Sequence, residues 1–204
     1  MMKKIIIITA ALLSMAAAAA QTAHRTALDK LCSALSSSCV TMKCSYLMYV
    51  SQTRLSGEAE VSVQGDSYTM SGNGIQVYCD GAKVWTVDST TREVYIEAVD
   101  DMAANSLANP AALFMHLGTS FDLVSSSQSG GKFSYKLAPK ADCGVISADL
   151  VINQDGTPVS AVFVLEDSLK VDVTVKSMSV EKTKPEDDFR PQVSFGSDWI
   201  VTEL

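Results

Sequence analysis

Histidine is nearly missing from this chain: 204 residues hold only His24 and His116. Histidine is the side chain that titrates nearest neutrality and the commonest metal ligand. A Ser-His-Asp or Cys-His catalytic group would therefore have to be assembled around one of two residues. His116 lies among Leu113, Phe114 and Leu117 and reads as the rim of an apolar helix, while His24 sits near the start of the chain. The motifs that position a nucleophile or a metal are missing too. There is no Gly-x-Ser-x-Gly, no Cys-x-x-Cys and no calcium loop, and no two ligands stand at zinc spacing. Asp100-Asp101 and Asp187-Asp188 pair carboxylates in polar loops, whereas an acid–base pair needs one member desolvated. Ser71–Gly74 reads as a hairpin turn and not a phosphate cradle, because no helix follows it. The expectation is a protein that is not an enzyme and uses no metal or cofactor.

Positive charge is also scarce. Sixteen Lys and Arg face 23 Asp and Glu, a net charge of −7. Such a chain has no general attraction to nucleic acid, which is excluded as a partner, or to anionic membranes, so any membrane contact should be transient. A long apolar run is missing as well. Ile5–Met15 is eleven residues, against roughly 20 needed to cross a bilayer. With Lys3 and Lys4 before it and Ala16–Ala20 after it, the segment reads as a secretory signal cut between Ala20 and Gln21. Cleavage leaves 184 residues, and the loss of two lysines takes the charge to −9. The first cysteine, Cys32, is twelve residues beyond Ala20, so no lipid-attachment site follows the signal. Residues 21–204 are expected to be exported to the periplasm as one soluble domain, since no linker long enough to divide them is present.

Five cysteines remain: Cys32, Cys39, Cys44, Cys79 and Cys143. In an exported protein, pairing is the default, and an odd count leaves at least one thiol over. One bridge among the first three fits their spacing without fixing which pair forms it. Cys79 falls on the apolar face of a strand and reads as a small buried hydrophobe.

What the chain has in quantity is alternation. Ile75–Cys79 and Lys83–Val87 flank Asp80-Gly81, a strong short-range hairpin signal, and a second polar turn at Asp88–Thr91 leads to Val94, Ile96 and Ala98. Upstream, Met42, Cys44, Tyr46, Met48 and Val50 share one strand face. Gly57, Ala59, Val61 and Val63 then alternate with Ser56, Glu58, Glu60 and Ser62. Tyr68 and Met70 mark a short strand before Asn73-Gly74. Hairpins recur at Ser129–Gly131 and Asp155-Gly156, and a long strand spans Leu169–Val180. Two segments break the period of two. His24–Ser38, with Ala27, Leu28, Leu31, Ala34 and Leu35, and Leu107–Gly118 both have helical spacing. About eleven strands in sequence-adjacent hairpins predict a large antiparallel sheet that must curl, with the helices covering its trough. The apolar end of the tail, Phe189–Leu204, is expected to pack back on the sheet.

Several of these pieces occur together and in order: the N-terminal amphipathic helix, the glycine-bearing strand Leu55–Gly65, the Asp80-Gly81 hairpin with Trp85, the helix after Asn109-Pro110, the Asp155-Gly156 hairpin and Phe189-x-Pro191. With the export signal they make the chain resemble the periplasmic lipoprotein carriers of the LolA type over most of residues 21–204. The resemblance implies a mainly β fold: an incomplete, unclosed β-barrel whose concave face is covered by an α-helical lid. It implies a carrier that binds lipoprotein acyl chains in a hydrophobic cavity and takes them from an inner-membrane lipoprotein-releasing ABC transporter to an outer-membrane acceptor, as a monomer. The expected cavity face is Ala59, Val61, Val63, Tyr68, Met70, Val77, Trp85 and Val87, with Leu113, Phe114 and Leu117 as the lid. Met42, Met48, Met70 and Met115 are flexible, polarizable side chains suited to irregular cargo. Family members commonly carry an arginine at the end of the second strand; here that stretch, Val61–Asp66, has none. Two other readings remain at this point, another lipid-binding or lipoprotein-sensing protein on the same scaffold, and an interaction domain with a solid core.

Overall fold

The computed structural model describes residues 25–50, 53–99, 110–115, 117, 119–140, 144–166 and 169–204. The expected export signal, both histidines, Asp100-Asp101, Asn109 and Cys143 lie outside the described residues.

Twelve strands form one sheet: β1 Cys39–Val50, β2 Thr53–Gln64, β3 Ser67–Gly72, β4 Ile75–Cys79, β5 Lys83–Asp88, β6 Glu93–Ala98, β7 Phe121–Ser129, β8 Lys132–Pro139, β9 Val145–Asn153, β10 Pro158–Leu165, β11 Lys170–Glu181 and β12 Ile200–Glu203. Their order is β12-β6-β5-β4-β3-β2-β1-β11-β10-β9-β8-β7, so the sheet has two free edges and is not closed into a barrel. Every ladder is antiparallel except β12 on β6. Among the described residues the one long-range pairing within the antiparallel set is β1 with β11, which joins a first meander to a second. The twelfth strand, beyond the eleven or so legible as hairpins, is in the apolar tail.

The turns follow from local chemistry. Asn73 (φ 52°) and Gly74 (φ 83°) both lie in the left-handed region that a two-residue hairpin of matching twist requires. The Asp80 carboxylate accepts from the backbone N–H groups of Ala82 and Lys83, each at 2.9 Å, and Asp88 does the same for Thr90 and Thr91. Bulges at Lys43/Cys44 in β1 and Leu123/Ser125 in β7 bend their strands and add to the curl.

Helix α1 covers residues 25–37. Ala27, Leu31 and Leu35 on one face are buried in the main core, the i, i+4, i+8 stripe its sequence carries. One end of α1 meets the β9–β10 turn, where a Cβ on Gly156 would lie 3.0 Å from Cβ of Lys30. At the other end the Gly65 N–H donates to the Leu35 carbonyl at 2.9 Å, in the β2–β3 turn. Helix α1 therefore bridges turns on opposite sides of the curled sheet and closes one end of the trough. Helix α2, Pro110–Met115, packs on β2 and β3.

A second apolar layer lies on the outer face. After β11 the chain crosses β2 to β6 as a strap. The Gln64 side-chain amide donates to the Lys184 carbonyl (3.0 Å) and accepts from its N–H (2.7 Å). The 3-10 turn Glu186–Phe189 then packs by β3, with Phe189 buried. Arg190 reaches Asp80 (2.7 Å), Glu186 (2.7 Å) and Asp187 (3.3 Å), and Arg92 pairs with Asp198 (2.6 Å) before β12 joins β6. Cys32, Cys39, Cys44 and Cys79 are free thiols, so the bridge that was possible among the first three is not present. Cys44 and Cys79 are instead packed in the core.

Candidate ligand-binding face

Residues directly opposite in an antiparallel ladder share a face, so the registers define the concave surface row by row. Val61 opposes Met42 and Met70, and Met70 opposes Val77. Val63 opposes Val40 and Tyr68, and Tyr68 opposes Cys79. On the other side of β1 one row runs Leu55, Met48, Val171, Phe163, Ala148, Leu137. The next runs Gly57, Tyr46, Val173, Ala161, Leu150, Tyr135. Nearly all of these positions carry apolar or aromatic side chains, and most belong to a single buried cluster together with α1 and α2.

The lid is seated on that cluster. Leu113, Phe114 and Leu117 are each no more than 3% exposed. Phe114 meets Phe163 edge-on, with ring centroids 6.1 Å apart at 82°, a geometry in which the positive ring edge points at the negative face. Since α2 also packs on β2 and β3, this short helix lies between the two halves of the sheet. Six residues cannot hold a helix by propensity; burial of Ala111, Ala112, Leu113 and Phe114 holds it.

Nine of the eleven residues expected to line the cavity share this interior. Ala59, Val61, Val63, Tyr68, Met70 and Val77 line the sheet, and Leu113, Phe114 and Leu117 cover it. Trp85 and Val87 do not. They stand opposite Tyr78 and Gln76, whereas Val77 is opposite Thr86. The register thus places Trp85 and Val87 on the outer face, with Val94 and Ile96 as their partners in β6. The apolar side of the sheet changes from concave to outer between β4 and β5, and the strap runs along that outer side. The sequence alone missed the second half of the face, Tyr135, Leu137, Leu150, Phe163, Val171 and Val173. Its signal was present, since Phe133, Tyr135 and Leu137 alternate with polar residues.

Burial acts on three titratable groups of this face. Burial pushes the Tyr135 hydroxyl up to about 12, with smaller contributions from Asp29 and Cys32. Burial likewise raises the Cys44 and Cys79 thiols, so they remain protonated and unreactive near neutrality. Among the described residues no group of three or more His, Cys, Asp or Glu is placed to hold a metal ion, and no helix is long and apolar enough to cross a membrane. The surface offers apolar contact area and little polar chemistry.

No protein-family model matches the chain, and no curated protein is a significant match to it. Solved structures do match in fold. An uncharacterized conserved protein from Thermus thermophilus is similar over 88% of this chain and 98% of its own, with 14% identity and a TM-score of 0.53. A LolA superfamily protein from Nitrosomonas europaea covers 82% of this chain and 97% of its own at 11% identity and TM-score 0.44. A putative outer membrane lipoprotein-sorting protein domain from Vibrio parahaemolyticus covers 79% and 94% at 9% identity and TM-score 0.46. At these identities the likeness is one of fold alone, and the Thermus protein, with a TM-score of 0.53, carries it.

Proposed function

We propose that this protein binds the acyl chains of lipoproteins on the concave face and carries them through the periplasm, from an inner-membrane releasing transporter to an outer-membrane acceptor. The observation that carries the reading is the pair of continuous apolar rows from β2 to β8, covered among the described residues by helices α1 and α2. Helix α2, held by its apolar face, is the short part of that cover, and moving it would uncover the rows beside β2 and β3.

The energetics suit a carrier. Each buried methylene gains about 0.8 kcal/mol, so a chain of roughly sixteen carbons gains on the order of 12 kcal/mol. Water then loses the competition for the chain, while a membrane or an acceptor of equal apolarity does not. Met42, Met48 and Met70 around the rows supply side chains that repack without fixed geometry. The net charge of −9 expected for residues 21–204 keeps the loaded protein off anionic bilayers in general.

Native mass spectrometry of residues 21–204 with a synthetic triacylated lipopeptide tests this directly. The expected result is a one-to-one complex whose formation an apolar fluorophore competes with. A bound phospholipid or fatty acid that excludes the lipopeptide would move the protein to the general lipid-binding reading. Neither lipopeptide nor fluorophore binding would leave a solid-core domain and refute the carrier.

A further inference from the structure

We propose that Tyr46 and Asn73 form a polar subsite of the trough that holds the ester or amide carbonyl at the head of a bound acyl chain. The inference begins with Gly57, which stands directly opposite Tyr46 in the β1–β2 ladder. A Cβ at that position would press on Asn73 Nδ2 and lie 2.6 Å from the Tyr46 hydroxyl oxygen and 2.8 Å from Cζ of its ring. The Tyr46 ring therefore crosses β2 in the space that a side chain would fill. There the Asn73 side-chain amide, from the β3–β4 turn, donates to the Tyr46 hydroxyl at 3.0 Å. Gly72 lets that turn come in against β2, since a Cβ there would meet the Glu58 carbonyl. Three segments far apart in the hairpins converge on one point of the concave face.

The pair has donors to spare. A tyrosine hydroxyl both accepts and donates, and an asparagine amide carries two N–H donors. The bond between them uses one N–H and one lone pair of the hydroxyl, which leaves the Tyr46 O–H and the second Asn73 N–H to donate side by side. Tyr68 and Tyr135 are no more than 2% exposed, whereas Tyr46 is half-buried, so a ligand can reach its hydroxyl. The neighbours of Tyr46 on this face carry no charge: Met48 and Leu55 on one side, Cys44 and Ala59 on the other, and Val173 in β11. A carboxylate or phosphate set there would lack the cation that a desolvated anion needs. Two neutral donors suit a neutral acceptor, the carbonyl oxygen of an ester or amide.

The sheet supplies a path for the chain behind that carbonyl. From Tyr46 the row runs through Val173, Ala161 and Leu150 to Tyr135 and crosses four ladders. At about 4.8 Å per strand this is roughly 19 Å, against about 15 Å for one leaflet of the hydrocarbon core of a bilayer. An acyl chain of ordinary length fits between the two tyrosines, and the subsite fixes its direction, head at β1 and tail toward β8. The inference rests on the reading of the concave face as an acyl-binding trough. The carbonyl it needs is shared by lipopeptides and glycerolipids.

Two glycerides that differ only in the carbonyl, monopalmitoyl glycerol and its ether counterpart hexadecyl glycerol, test the subsite by displacing an apolar fluorophore from residues 21–204. The wild type is expected to bind the ester about tenfold more tightly than the ether. Tyr46→Phe keeps the ring over Gly57 and loses the hydroxyl. Asn73→Gly keeps the left-handed turn, φ 52° at Asn73, and loses the amide. Gly57→Ala keeps both donors and pushes them apart. Each variant, verified as folded by circular dichroism, should bring the ester down to the affinity of the ether and leave the ether unchanged. Equal binding of ester and ether by the wild type, a preference that survives Tyr46→Phe and Asn73→Gly, or an equal loss of both ligands in the variants would overturn the subsite and leave the trough. Binding of neither glyceride nor the fluorophore would overturn the trough and the subsite together. A triacylated lipopeptide that displaces the ester and weakens in the same variants would support the subsite and put the carbonyl on a lipoprotein. A phospholipid that does so while the lipopeptide does not would support it equally, put the carbonyl on a glycerolipid and retire the lipoprotein carrier alone.

Discussion

Gly72 shows how narrowly single residues set this sheet. A Cβ there would press on the carbonyl oxygen of Glu58 and lie 3.3 Å from Cα of Ala59, so backbone and not a flexible side chain would have to move. Gly72→Ala is expected to destabilise by about 1–3 kcal/mol, read as a lower urea midpoint with an unchanged slope. Asp80 is a second such position. Burial would raise its carboxyl, but the Lys83 and Ala82 amides and the Arg190 guanidinium outweigh it and hold the pKa below its ordinary value. A group depressed in the fold binds fewer protons folded than unfolded. Its stabilisation is therefore complete above about pH 4, where unfolded carboxyls are ionised, and is lost as pH falls below that range. The fall in urea midpoint between pH 7 and pH 3 should be smaller in Asp80→Asn than in the wild type; an equal fall would mean that the contact with Arg190 adds no pH-dependent stability. Trp85 and Val87 show where residue-level reading fails. β5 reads Val84-Trp85-Thr86-Val87, apolar on both faces, so period two cannot say which face is inside. The register decides, and register is a property of the neighbouring strands.

Among the elements, hairpins were the most legible because their turns carry side-chain and glycine signals that act locally, as Asn73-Gly74 and Asp80 do. The strap was legible only in outline. Nothing in residues 182–199 announces that Gln64, Asp80 and Arg92 receive them, since each contact joins positions more than a hundred apart in sequence. Phe189 is its one fully buried anchor, and Phe189→Ala is expected to cost about 3–5 kcal/mol. Hydrogen exchange should then quicken in residues 182–204 and β6 while β1, β10 and β11 keep their protection. Uniform loss of protection would make the strap part of one cooperative unit with the sheet. Helix α2 has the opposite character, held by its apolar face alone. Phe114→Ala removes the edge-on contact with Phe163, and a looser cover should admit an apolar fluorophore faster than in the wild type, in stopped-flow measurement.

At the scale of the whole molecule, composition and alternation led to a large curled antiparallel sheet with helical cover, and the structure has that form. Two physical features lay beyond those signals. Amphipathicity reverses between β4 and β5, so one sheet serves two apolar layers, the trough on one side and the strap on the other. The trough also recruits both meanders, because β1 pairs with β11 and carries the rows on to β8. The proposed acyl carrier depends on that union, for neither meander alone offers a face long enough for a chain of about sixteen carbons.

The most direct measurement places a photoreactive diazirine phenylalanine at Phe163, or separately at Val87, and illuminates each variant with a radiolabelled triacylated lipopeptide. Phe163 lies on the covered row and Val87 on the outer face. The account predicts an acyl adduct from position 163 and none from position 87. Labelling at 87, or at neither position in a folded protein, would contradict the claim that the concave face is where the chains are held.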